Sequence, residues 1–143
     1  YFADPTDAEF AFAVASSRVA YWLWRVEGDG FHLNEKFLAA LPFHPSAFSR
    51  NATRSLCQLS LSLWEKLQKN PIEKINAGVV AVSYRPYGCA AILDEIDRLI
   101  VENYKIPSEF LNALRDFVIK TVVAGRLDEP RVQRMLQQKR EEQ

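Results

Sequence analysis

Arg18, Arg25, Lys36 and His32 can each bring a cationic or hydrogen-bonding group to a phosphate, and between them stand Phe31 and Asn34. The stretch runs Ser16-Ser17-Arg18-Val19-Ala20-Tyr21-Trp22-Leu23-Trp24-Arg25, then Gly28-Asp29-Gly30-Phe31-His32-Leu33-Asn34. Arginine and histidine suit a nucleic-acid backbone. A phenylalanine can stack on an extruded base, and an asparagine can pair with a base edge. Arg50, Arg54 and Arg85 extend the set of candidate phosphate contacts. The same residues have a packing use. Trp22 and Trp24 can belong to the core, while Gly28, Asp29, Gly30 and Asn34 structure the loop.

Other chemistry finds little support in the chain. There is no GxGxxG and no GxxxxGK[ST], so no phosphate loop of either kind. Gly28 and Gly30 follow a helical pattern, which is the wrong setting for a dinucleotide turn. His32 and His44 lack partners at metal spacing, and no CxxC pair exists, so no metal site is expected. An enzyme built on Ser17, His32 and Asp29 can be drawn, but no elbow sequence surrounds the serine. Asp94, Glu95, Asp97 and Glu102 read as an acidic helix side in solvent, or as an ion-pair contact to a basic neighbouring domain.

These residues belong to a chain of 143 residues with 18 basic and 18 acidic side chains. Neutrality removes the simplest argument for nucleic acid, which is excess positive charge, and leaves local arrangement to decide. Hydrophobic residues make up 48%, as in an ordinary globular protein. Cys57 and Cys89 read as buried thiols of a reducing, cytoplasmic compartment. No apolar run is long enough for a membrane span. The start at Tyr1-Phe2 without methionine suggests a piece of a longer protein.

The elements that must position the site are mostly helices. Thr6 or Asp7 can cap a helix running unbroken over residues 8–26, apolar on nearly every face and therefore central and buried. Asn34 can cap a short helix carrying Phe37, Leu38 and Leu41, stopped by Pro42. Residues 47–69 form a second long helix through Leu56, Leu59, Leu63 and Leu67. The β-branched cluster in 74–84 predicts one strand or a short hairpin. Ile92, Ile96, Leu99 and Ile100 mark a helix over 90–104. Pro107 and Ser108 open the next, which Gly125 ends. The fold class is mainly α, at most α+β. One helical domain spans 1–125, and 126–143 is a polar, helix-prone tail.

Two segments resemble one family. Ser17–Arg25 with Gly28–Lys36 resembles the "NSS-L-FYW-x-W-R … GDG-x-H-LNK" stretch lying downstream of the catalytic domain in N6-adenine DNA methyltransferases of restriction–modification systems. The similarity continues through Leu33 to Pro42. Ile92-Leu93-Asp94-Glu95-Ile96-Asp97-Arg98, then Asn103-Tyr104 and Ser108-Glu109, is similar to that family's "IIDEID … HYG … EEL" segment. The resemblance implies a C-terminal, target-recognition-associated domain that contacts DNA or scaffolds its recognition. S-adenosylmethionine and the Asn-Pro-Pro-Tyr catalytic motif would belong to an upstream catalytic domain of the same protein. Here the Asn70-Pro71 pair continues as Ile72-Glu73, so the fragment itself is not expected to methylate. The rival expectation is a protein–protein interaction domain without nucleic acid, using the acidic helix side and the C-terminal helix.

Overall fold

The computed structural model describes residues 4–28, 35–69, 71–76, 79–84 and 88–123. It is mainly helical. In chain order come α1 (Pro5–Ser16), α2 (Arg18–Glu27), α3 (Glu35–Ala40), a 3-10 turn (Pro45–Ala47) and α4 (Arg50–Gln68). A hairpin of β1 (Pro71–Asn76) and β2 (Val79–Tyr84) follows. Then come α5 (Ala90–Asn103), α6 (Glu109–Val118) and a π-helical turn (Ile119–Val123).

The single helix expected over 8–26 is two helices. Ser17 leaves helical geometry at φ −67°, ψ 152°, and its Oγ accepts from the amide of Ala20, 3.0 Å away. That is an N-cap, which serine favours over continuing a helix. The same hydroxyl donates to the Val14 carbonyl at 2.6 Å. Both sides of the break are thus satisfied by one side chain. Asp4, not Thr6 or Asp7, caps α1: its carboxylate accepts from the Thr6 amide at 2.8 Å.

Phe10, Ala13 and Val14 of α1 are buried, whereas α2 buries only Val19 and Ala20. The helix that touches most of the others is α5, which meets α1, α2, α4 and α6. Ile96, Ile100 and Val101 of α5 enter a core shared with Phe10, Leu56, Leu63 and Leu114. Cys57 and Cys89 are buried free thiols.

Residues 47–49 do not join α4. Ser49 caps it instead, accepting from the Ala52 amide at 3.2 Å. Pro71 both ends α4 and begins β1, as a residue without an amide hydrogen can at a strand start. The hairpin is antiparallel, with Pro71 opposite Tyr84 and Asn76 opposite Val79. The C-terminus of α5 closes with Lys105 in the left-handed region at φ 54°. The amides of Lys105 and Ile106 donate to the carbonyls of Glu102 and Val101. Those two bonds satisfy carbonyls that a helix end otherwise leaves open. Ser108 precedes α6 without a side-chain cap. The predicted end of that helix at Gly125 and the tail over 126–143 lie outside the described residues.

Candidate nucleic-acid interface

The break at Ser17 frees the amide of Arg18 from the helix ladder, and Asp97 takes it. That amide donates to Asp97 Oδ1 at 2.9 Å, and Arg18 Nε donates to Asp97 Oδ2 at 2.6 Å. The remaining arm of the guanidinium pairs with Asp94. Arg115 of α6 reaches the same carboxylate, its Nε donating to Asp94 Oδ1 at 3.2 Å. One arginine and two aspartates therefore tie α2 to α5, and a second arginine adds α6.

This corrects the expectation of an acidic helix side in solvent. Asp97 is 0% exposed and stands in the apolar stripe with Leu93, Ile100 and Val101. Glu95 and Glu102 do face outward, where Arg98 bridges them at i,i+3 and i,i+4. Exposed pairs of that kind add little stability. Burial pushes the Asp97 carboxyl upward against the pull of Arg18. At Asp94 burial works the same way, but the guanidiniums of Arg18 and Arg115 outweigh it and hold the carboxyl below the usual range. The hydrogen bonds from Arg98 likewise hold Glu95 low.

Arg18 is thus committed inside the fold, with its side chain 17% exposed. The aromatics of α2 also pack. Trp22 meets Phe110 edge-on at 5.4 Å, and Tyr21 lies 6.2 Å from Phe117, both on the α6 side. Arg25 stands exposed in the last turn of α2 with its guanidinium 5.9 Å from the Trp24 ring centre. Lys36 is exposed on α3. Arg25 and Lys36 therefore border the segment 29–34 from either end, beside Glu27 and Glu35. Asp29, Gly30, Phe31, His32, Asn34 and Arg85 lie outside the described residues.

Arg50 and Arg54 stand one turn apart at the start of α4. They line one cleft with Thr6, Pro45, Ser46, Phe48, Thr53 and Cys57. Burial, with the charges of Glu9, Asp7 and Asp4 as smaller causes, raises the Cys57 thiol. His44 uses its ring locally: Nδ1 accepts from the Ser46 amide at 3.3 Å. Ser17 spends its hydroxyl on the helix break. Among the described residues no group of three His, Cys, Asp or Glu is placed to hold a metal ion. Among them, too, no helix is long and apolar enough to cross a membrane.

Gly28 ends α2, its amide donating to the Trp24 carbonyl at 3.0 Å. A Cβ built there would sit 2.5 Å from that carbonyl oxygen and 2.9 Å from Trp24 Cδ1. The glycine is required by close approach, since its φ of −91° suits any residue. Gly28→Ala should destabilise the chain by about 1–3 kcal/mol, the usual cost of overpacking. A urea midpoint unchanged from the parent would show that the helix end relaxes freely.

No family model matches the chain, and neither does any curated protein or solved structure.

Two ties join the segments singled out by sequence. One is Arg18 with Asp97 and Asp94. The other is Tyr104, whose hydroxyl donates to the Pro42 carbonyl at 2.6 Å. Beside it, Asn103 Nδ2 donates to the Ala47 carbonyl at 3.1 Å. Phe43 and Phe48 each meet the Tyr104 ring edge-on, at 5.6 and 5.7 Å. Asp94 and Asp97 read from sequence as a solvated face or a contact to another domain, not as a tie within the chain, and Arg115 has no place among the candidates. The available signal was Asp97 falling at i+4 from Leu93 and i−3 from Ile100, within an apolar stripe.

Proposed function

We propose that this chain is a non-catalytic, DNA-contacting recognition scaffold of an adenine-N6 DNA methyltransferase of the restriction–modification kind. In this reading the parent's upstream domain binds S-adenosylmethionine and performs the transfer. Residues 29–34, which carry part of the resemblance, are in this reading the part of the chain that meets DNA. The observation carrying the proposal is that the two segments resembling the family dock on each other. Residue 18 of the first is clasped by residues 94 and 97 of the second, and residue 42 by residue 104. Segments about 75 residues apart in sequence are thereby joined to each other at α2 and α5.

We infer a division of labour among the candidate residues. Arg18 supports from within and cannot reach a phosphate without abandoning Asp97. Contact with the DNA backbone falls to Arg25 and Lys36 at the loop's borders, with Phe31, His32 and Asn34 as the groups that would meet bases. Each phosphate neutralised makes log affinity fall by roughly 0.9 per unit of log salt. Gel-shift titrations of the chain and of the intact parent at two salt concentrations should give a salt slope that is shallower by about 0.9 for Arg25→Ala and for Lys36→Ala. Absence of binding at low salt, with no effect of either substitution on the parent's DNA affinity, rejects the proposal.

A further inference from the structure

Cross-strand partners share a face, so Ile75, Val80, Val82 and Tyr84 all lie on one side of the hairpin. They are 75%, 58%, 46% and 38% exposed. Tyr84 packs edge-on against Trp64 of α4 at 5.1 Å, and Trp64 in turn meets Phe12 at 6.0 Å. Leu61, one turn before Trp64, is 48% exposed. The apolar surface therefore continues from the hairpin onto α4 and into the shallow groove between Phe12, Leu61 and Trp64.

Such a surface is costly to leave in water. A two-stranded hairpin is marginal by itself. This one meets the helical body through the Trp64–Tyr84 contact. Among the described residues neither of its edges is paired to a third strand.

We propose that this face is the contact surface of a homodimer, in which the hairpin and the Leu61–Trp64 side of one copy pack on the same surface of a second copy. The area is what a second copy as the occupant requires. The six side chains expose on the order of 600 Å² per copy, so a pair buries about 1,200 Å², the lower bound for a specific interface. Glu73 is the charged residue on the hairpin face and Glu9 the one at the groove. The net charge of zero sets up no long-range repulsion between copies. A two-fold axis lets one apolar patch serve as its own complement. The inference is independent of the DNA reading, and either can fail alone.

Sedimentation velocity of the full chain is the test, over a concentration range centred on roughly 10 μM, where an interface of this size is expected to dissociate. The expected result is a mass rising from 16.4 kDa towards twice that value. Ile75→Lys and Val80→Lys should weaken the dimer by about 100-fold or more, since each places a charge in a desolvated contact. Their far-UV circular dichroism should match the parent's, because both sites are exposed. If either unfolds, Ile75→Ser serves as the milder variant and should weaken the dimer by about 10-fold. Three results overturn the proposal. One is a monomer at every concentration, including one whose hairpin amides gain protection only when another domain of the parent or another protein is added. Another is a dimer that these substitutions leave intact. The third is open-ended polymerisation.

Discussion

Asp97→Ala is expected to lower the stability of the chain by about 3–5 kcal/mol, the usual cost of stranding a buried charge. The carboxylate receives both the amide and the Nε of Arg18, and its removal leaves that cation with Asp94 alone. Asp94 is shared with Arg115 and sits nearer solvent, so it cannot replace the lost bonds. Urea denaturation followed by far-UV circular dichroism measures the effect. The double variant Arg18→Met with Asp97→Leu separates charge stranding from loss of packing. Apolar residues of similar volume often replace a buried pair without cost, so the double variant should lie within about 1 kcal/mol of the parent or above it. A single-variant cost below about 1 kcal/mol would mean the clasp does not hold α2 on α5.

Phe10→Ala should cost a comparable amount, about 3–5 kcal/mol, for a different reason. Phe10 is 2% exposed and meets Phe48 edge-on at 5.2 Å. Truncation removes the ring and opens a cavity where α1 and the residues just before α4 converge on α5. The neighbours are held by caps at Asp4 and Ser49, so they cannot collapse fully into the space. Val26→Ala supplies the contrast. Val26 is 55% exposed, and its loss should change stability by no more than about 0.5 kcal/mol. Equal effects of the two substitutions would contradict the assignment of Phe10 to the core.

Much of the helical layout was legible in residue patterns. Periodic leucines located α4, isoleucines located α5, and the β-branched cluster located the hairpin. What escaped were features decided by partners distant in sequence. Nothing local in Ser16-Ser17-Arg18 distinguishes a continuous helix from a broken one. The break gains from Asp97, 79 positions after Arg18, and no periodicity reveals that. Arg18 was legible as a cation and illegible as a structural one, because that depends on a carboxylate buried in another helix. Trp22 reads as a core residue, but only the structure shows what it and Tyr21 pack on, which is Phe110 and Phe117 of α6. Arg50 and Arg54 carry the right charge and line one cleft with Thr6 and Phe48, a grouping that no local pattern reveals.

The clasp at Arg18 also sets a rotational phase. α1 answers to α4, whereas α2 answers to α5 and α6. Each residue added to or taken from α2 between Arg18 and Tyr21 turns the rest of that helix by roughly 100° about its axis relative to Arg18. Such a turn would swing the Arg18 side chain away from Asp97 or carry Tyr21 and Trp22 off α6. The spacing from Arg18 to Tyr21 and Trp22 is therefore a fixed gear between the grip of α5 and the grip of α6 on one helix.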